Sequence, residues 1–367
     1  ESQEIEKANF SALTLMLAQE CNMRCSYCYG EGGEYNNKGI MTENVAFQAI
    51  DYLVKNSTDE LLHIAFLGGE PLLNFPLLKK VVEYCKQISA DTGKKFSYTI
   101  TTNGTLITDN IEKYLTENKI VCQISLDGTK EKNDMNRFFR NKKGSYDVIV
   151  EKTKSMRHMN LVTARATVTP DNSDYKEIFN HLNELEFRAI PIAIAQNMVD
   201  DEQFDKILSE YINYIFYFEE LILTKQYAKA KKMTDLVNAL EKIEFGNVRN
   251  NGCGAGRTMF AVDIDGTLYP CHRFVGERKF ALGNIWTGSD NSKFLKMINV
   301  RNRDKCSKCW AQNLCLGCCP HENYTNTNNI NLASERSCRM AKTIYEKLIS
   351  VYIKMSDEDK KMMWPED

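Results

Sequence analysis

No run of about eighteen apolar residues, the length a helix needs to cross a bilayer, occurs anywhere in the 367-residue chain. Nor does an apolar export signal open it, because residues 1–8 carry charge where such a signal needs hydrophobic side chains. A strong charge of either sign is missing too. Forty-seven Lys and Arg stand against 49 Asp and Glu, a formal net charge of −2, so no global field points to nucleic acid or an anionic membrane. The local run Lys229-Ala230-Lys231-Lys232 reads as a solvated helix face. Low-complexity tracts and internal repeats are also lacking. The expectation is a cytoplasmic protein with neither membrane nor nucleic-acid partner. Since the first residue is Glu rather than Met, the expectation is a trimmed chain from which an N-terminal module is missing.

Cysteine, by contrast, is abundant. Thirteen are present: Cys21, Cys25 and Cys28 near the start, eight from Cys253 to Cys338, and the isolated Cys85 and Cys122. A secreted disulfide framework would use them, but no export signal supports it and a chain this long needs no staples. Close, fixed spacings point instead to metal. Cys85 and Cys122 fall on a helix-like and a strand-like segment and read as core packing.

From residue 11 to 195, β-type runs at 13–17, 63–67, 97–101, 121–126, 164–168 and 190–195 alternate with helix-like segments. These lie near 43–55, 76–91, 108–118, 146–159 and 174–186, with caps at Thr42, Thr108 and Ser173. Such alternation predicts an α/β fold of parallel β/α units with functional loops at the strand C-terminal ends. Six units suit a partial (β/α)6 barrel rather than a closed one. Residues 1–200 are expected to form this core, and 201–250 a bridge of one or two charged helices. A cysteine-rich domain should span 251–340, with a C-terminal helix and tail over 341–367 and helix signal from about 334 to 353. The cysteine-rich segment has little apolar material of its own, so metal clusters would supply its cross-links.

Cys21-Asn-Met-Arg-Cys25-Ser-Tyr27-Cys28 is a C-x3-C-x2-C motif directly after the first predicted strand. Zinc takes four ligands, and the nearest histidine, His63, is far off in sequence. Three close thiolates suit three irons of a [4Fe–4S] cube, leaving one iron open to a small chelating molecule. With Tyr27 before its last cysteine, the triad resembles the signature of the radical S-adenosylmethionine (SAM) superfamily. Gly68-Gly69-Glu70-Pro71 after the second strand resembles that family's motif for the SAM amino group. The glycines permit close backbone approach, and Glu70 can accept from an ammonium. Thr102-Asn103-Gly104 after the third strand and Ser125-Leu126-Asp127-Gly128 after the fourth match further family positions near SAM. The resemblance adds Arg137 and Arg165 as contacts for the SAM carboxylate.

The later cysteines are Cys253, Cys271, Cys306, Cys309, Cys315, Cys318, Cys319 and Cys338. Their array resembles the SPASM extension of radical SAM enzymes that modify peptides. The resemblance gives Cys306, Cys309, Cys315 and Cys338 to an outer auxiliary cluster. It gives Cys253, Cys271 and Cys319 to an inner one, for three [4Fe–4S] clusters in all. Cys318 adjoins Cys319 and is the cysteine able to substitute for it. No cysteine lies between Cys253 and Cys271, which leaves one inner iron for a substrate thiolate, water, Cys318 or another side chain. His272 follows Cys271 where the sulfatase-maturating pattern has Asp, and the wording of 270–276 looks like that of thioether-forming peptide maturases. The implied activity is hydrogen abstraction from a peptide residue followed by a Cys-to-carbon thioether link. Formylglycine formation or carbon–carbon cross-linking is the alternative. Implied partners are a cysteine-rich, ribosomally made precursor peptide and a reductant of flavodoxin or ferredoxin type. An iron–sulfur electron carrier would need no SAM site, and a structural zinc protein would hold no iron.

Overall fold

A computed structural model of the protein describes residues 9–246 and 252–365, so the charged stretch 1–8 and the end of the 201–250 bridge lie outside the described residues. The chain divides into two compact units. One takes the chain up to Ser125 together with Asp134–Met156 and Cys253–Met297; the other takes Leu126–Asn133, Arg157–Gly252 and Ile298–Asp367.

In the first unit β1 (Ala12–Gln19), β3 (Leu61–Gly68), β4 (Lys95–Thr102) and β5 (Val121–Ser125) lie side by side in that order, all parallel. The two-residue β2 (Gly39–Ile40) runs antiparallel to the end of β1. Leu13, Leu15, Met16, Leu17 and Ala18 are all buried, so β1 is mostly apolar, interrupted only by the half-buried Thr14, as suits a strand covered on both faces. Parallel neighbours need crossovers, and the helices Glu43–Lys55, Phe75–Thr92 and Asp109–Glu117 supply them. Thr42 and Thr108 cap two of these, their hydroxyls accepting from Val45 N and Ile111 N. This winding brings the strand ends Gln19, Gly68, Thr102 and Ser125 to one edge of the sheet. The helix expected over 146–159 breaks at Thr153, whose hydroxyl bonds back to Ile149 O (2.8 Å).

In the second unit β6 (Val162–Val168) pairs parallel with β7 (Ile192–Ile194). The helix Tyr175–Glu184 is capped by Asp174, which accepts from Glu177 N at 2.8 Å, and not by the expected Ser173. A carboxylate is the stronger acceptor at a helix N-terminus. The predicted bridge is the long helix Asp201–Leu223, opened by an Asp200/Gln203 capping box, then Tyr227–Ala230 and Thr234–Glu244. Tyr175, Tyr211 and Tyr214 form an aromatic core there, with Tyr175 and Tyr211 edge-on at 4.9 Å. The helix Glu335–Lys354 starts at the Ser334 cap. No helix among the described residues is long and apolar enough to cross a membrane.

Four short strands were not expected: β8 (Met259–Val262), β9 (Thr267–Tyr269), β10 (Gly283–Asn284) and β11 (Gly288–Ser289). β8 runs parallel to β1 on the side away from β3, pairing Ala12 with Met259 and Leu15 with Val262. β9 returns antiparallel through a turn at Asp265-Gly266, where Gly266 has φ +82°. Residues 253–297 thus extend the sheet of the first unit.

Candidate functional site

Directly beyond β1, the half-buried Cys21, Cys25 and Cys28 sit on a loop fastened mainly through its backbone. Arg24 N donates to Phe138 O (2.8 Å) and Ser26 N to Asn136 O (3.0 Å). Arg24 Nη1 and Arg140 Nη2 both donate to Cys21 O, at 3.0 and 2.9 Å. Met23 N reaches Cys21 Sγ at 3.4 Å and Asn103 Nδ2 reaches it at 3.9 Å. Burial pushes the Cys21 thiol up to about 11 against the pull of the Met23 N–H. A thiolate here therefore calls for a bound cation to balance it.

The end of β3 is pressed onto this loop. Gly69 N and Glu70 N donate to Ala18 O (2.7 Å) and Glu20 O (2.8 Å). A Cβ on Gly68, which has φ +146°, would stand 2.2 Å from Ala18 O. One on Gly69 would stand 2.3 Å from Glu20 O. In this structure the glycines permit the close backbone approach of two strand ends.

Glu70 is fully buried. Its Oε1 accepts from Leu72 N (3.0 Å) and Thr102 Oγ1 (2.6 Å), and its Oε2 from Asn103 N (2.8 Å). Pro71 opens the short turn Pro71–Asn74 that aims Leu72 N at it. Burial raises the Glu70 carboxyl, while those donors and the charge of Arg137 oppose the rise. A carboxylate offers about four acceptor positions, so most of Glu70 is committed within the protein. Asn103 closes a side-chain triangle: its Nδ2 donates to Asn22 Oδ1 (2.9 Å), Asn22 Nδ2 to Thr105 Oγ1 (2.8 Å), and Thr105 Oγ1 to Asn103 Oδ1 (2.7 Å). Sequence reasoning missed Asn22 and Thr105, although each stands in or beside a motif; Thr102 belongs to the Thr102-Asn103-Gly104 motif it singled out. Glu70→Gln should lower stability by about 1–3 kcal/mol, because either amide orientation turns an N–H toward donors that now have an acceptor. A thermal melt compared with wild type checks this, and SAM affinity should fall with it.

Arg137, buried, donates from Nη1 to Tyr27 OH at 2.8 Å, and Ser125 ends β5 at the same sheet edge. Arg165 lies on β6 in the second unit, where its charge acts on the half-buried carboxylate of Asp235.

The sequence marked the residues after Cys271 but gave no sign of what they pack against in the first unit. The segment after Cys271 lies against the loop after Cys28. Arg273 stands 5.3 Å over the Tyr29 ring, and the His272 ring is 6.4 Å from it. Tyr29 meets Tyr35 edge-on at 5.8 Å, and Tyr35 OH donates to Gly68 O at 3.2 Å. Gly276, at φ +88°, is held so near that a Cβ would stand 2.3 Å from Tyr35 O. Desolvation raises the Tyr35 phenol well above its ordinary value.

In the second unit Cys306, Cys309, Cys315, Cys318 and Cys338 line one cavity of about 560 Å³. Cys306 and Cys315 arrive on the turns Asp304–Ser307 and Gln312–Cys315 and Cys338 on the helix Glu335–Lys354, while Cys309 and Cys318 follow the two turns. Protein interiors are close-packed, so a cavity of this size rimmed by thiols has room for a group of atoms. Among the described residues no three His, Cys, Asp or Glu side chains converge as they would on one metal ion. A cube of iron and sulfide spreads its ligands over separate irons, and soft thiolates are its donors. The residues fit such a cluster. Cys318 faces this cavity, with its Sγ 3.5 Å from Cys315 Sγ, where the sequence reading had made it a stand-in for Cys319. Hydrogen bonding between the two thiols favours the Cys315 thiolate. Cys253, exposed, and Cys271 belong to the first unit, and Cys319, at the start of the helix Pro320–Thr327, to the second. Cys85 and Cys122 are fully buried.

The radical SAM superfamily profile matches residues 16–185, and that of the SPASM domain, an iron–sulfur cluster-binding domain, matches 253–310. The chain is a radical SAM protein with a SPASM domain. It is 26% identical to a cysteine-type anaerobic sulfatase-maturating enzyme of Clostridium novyi, over 93% of this chain and 96% of that one. Among solved structures it is similar to anSMEcpe with bound AdoMet and Cp18Cys peptide, at TM-score 0.76 and 22% identity over 95% of this chain and 100% of that one. It also resembles Streptococcus suis SuiB bound to its precursor peptide SuiA, at TM-score 0.58 and 16% identity over 90% and 76% of the two chains. As a radical SAM enzyme it uses SAM and a [4Fe–4S] cluster, and the SPASM domain adds auxiliary iron–sulfur binding. The expected α/β class, with a parallel core sheet and a cysteine-rich extension, is the one observed.

Proposed function

We propose that this radical SAM enzyme is a maturase that oxidises a cysteine or serine of a polypeptide substrate, with formylglycine formation as the first reading. One observation carries the proposal. The Cys21 loop, the Glu70–Asn103 network and the Cys271–Gly276 segment meet at one edge of the sheet, which supports reading them together as one SAM-dependent site. The likeness to the sulfatase-maturating enzyme over nearly all of both chains supports the formylglycine outcome. This displaces the thioether expectation from first place.

In this reading Cys21, Cys25 and Cys28 hold the cluster that works on SAM. When bound and reduced, that cluster would supply the electron that splits SAM and gives a radical able to take hydrogen from an unactivated carbon. Gly68, Gly69, Glu70, Pro71, Asn103 and Ser125 form the edge on which SAM is held. Tyr27, fixed by Arg137, and Arg165 serve its remaining polar groups. Cys306, Cys309, Cys315 and Cys338 hold an outer auxiliary cluster, and Cys253, Cys271 and Cys319 an inner one, for three in total. The peptide substrate and a small reducing electron carrier are the partners.

Thioether formation is the second reading, favoured by the absence of cysteine between Cys253 and Cys271 and by His272 after Cys271. An inner cluster with three protein ligands leaves an iron suited to a substrate thiolate. A cysteine-bearing peptide such as Cp18Cys, incubated anaerobically with SAM and reductant, separates the two. Formylglycine formation removes the cysteine sulfur and leaves an aldehyde that a hydrazide captures in mass spectrometry. A product that loses hydrogen, keeps its sulfur and resists alkylation selects the thioether instead. SAM cleavage with every tested peptide unchanged would overturn the polypeptide substrate.

A further inference from the structure

The cavity in the second unit holds more thiols than a four-iron cluster needs. Cys306, Cys309, Cys315 and Cys338 already provide one ligand per iron, yet Cys318 lines the same space. Its position is built at a cost. Leu316, Gly317 and Cys318 have φ of 55°, 80° and 62°, three successive residues in the left-handed region. Glycine adopts that region freely, whereas Leu and Cys are strained in it.

What holds the turn in this conformation is a buried clamp. Arg303, 5% exposed, donates from Nη1 to Gly317 O (2.7 Å) and from Nη2 to Ile298 O (3.0 Å). Asn323, fully buried, donates to Gly317 O (3.0 Å) and Ile330 O (3.2 Å). The clamp reverses the chain immediately after Cys315 and returns the Cys318 thiol to within 3.5 Å of Cys315 Sγ. Without the left-handed run the chain would leave the helical turn Gln312–Cys315 in another direction. Strain maintained by a charged, buried side chain places a fifth sulfur beside the ligand Cys315.

We propose that Cys318 is an exchangeable ligand of the outer cluster, able to take over the iron that Cys315 holds. The inference rests on the reading that Cys306, Cys309, Cys315 and Cys338 ligate that cluster. The exchange is balanced and moves no electrons. One iron–sulfur bond breaks at Cys315, one forms at Cys318, and the proton on the Cys318 thiol passes to the sulfur that Cys315 releases. Such a pair keeps the cluster anchored while one thiolate is protonated or chemically blocked.

The test is iron and acid-labile sulfide content of the anaerobically reconstituted full chain, with EPR of the reduced protein. Cys315→Ala should keep the wild-type iron content with a shifted outer-cluster signal. Cys315→Ala/Cys318→Ala should lose about a third of the iron, one cluster of three. Cys318→Ala alone should keep all of it. Cys306→Ala should lose the same share as the double variant, because no spare thiol stands beside Cys306. If Cys315→Ala alone loses as much iron as the double variant, the exchange is overturned. If Cys318→Ala alone loses that share, Cys318 is the resident ligand and the exchange is likewise overturned. Full iron in Cys306→Ala would instead sink the outer-cluster reading on which it rests.

Discussion

Replacing Cys21, Cys25 and Cys28 together with Ala should abolish SAM cleavage and remove about a third of the iron from anaerobically reconstituted protein. The loop itself should survive the change. Its anchors are backbone bonds, Arg24 N to Phe138 O and Ser26 N to Asn136 O, with the Arg24 and Arg140 guanidiniums on Cys21 O. None of them uses a thiol. The loss should therefore fall on the metal while the fold stays intact, and far-ultraviolet circular dichroism should match wild type. Iron analysis and chromatography of 5′-deoxyadenosine make the measurement. Undiminished cleavage by the triple variant would remove these cysteines from the SAM site.

A single methyl group at Gly69 should do nearly as much damage by an unrelated route. The Cβ of Gly69→Ala would lie 2.3 Å from Glu20 O, 2.6 Å from Glu20 C and 2.7 Å from Gly33 O. All three are backbone atoms, so no side chain can swing aside to make room. Relief requires β3 to part from the end of β1, which breaks the bonds from Gly69 N to Ala18 O and from Glu70 N to Glu20 O. Overpacking of this kind costs about 1–3 kcal/mol before those bonds are counted. Because Glu20 adjoins Cys21, the strain is delivered to the first ligand of the triad. Gly69→Ala should bind SAM at least tenfold more weakly in a calorimetric titration and melt several degrees lower. Wild-type SAM affinity would show that the loop can yield after all.

How far these features could be read from the sequence depended on the length of the signal. The run 13–17 foretold β1 because a strand buried on both faces is rich in apolar residues, and Leu13 and Leu15 to Ala18 provide them around a β-branched Thr14. Thr42 and Thr108 cap helices as expected, whereas Ser173 lost that place to the neighbouring Asp174. The strands β8 to β11 escaped notice since two to four residues cannot display a period, and β8 extends the sheet at the edge of β1. At the site, the Gly-Gly-Glu-Pro wording marked Glu70, but its partners Thr102 and Asn103 come from the next strand end and are joined to it only by folding. The packing of Tyr29 and Tyr35 against 272–276 spans more than two hundred positions, beyond any local pattern. Cys318 was visible as a letter, but the direction of its thiol was not, because that follows from a left-handed turn imposed by Arg303 and Asn323.

The strand β8 has a consequence for anyone who would dissect this molecule. A fragment ending before Cys253 would retain each β/α unit of the core and look, on paper, like a separable module. It would also bare the Ala12–Leu15 backbone of β1, whose amides and carbonyls are paired with Met259–Val262 in the intact chain. That raw border, backed by Leu13 and Leu15, is the kind of surface on which a second copy adds itself strand by strand. The C-terminal segment therefore acts as a selvedge for the sheet as well as a holder of cysteines, and the cut fragment would be lost to precipitation before its chemistry could be assayed.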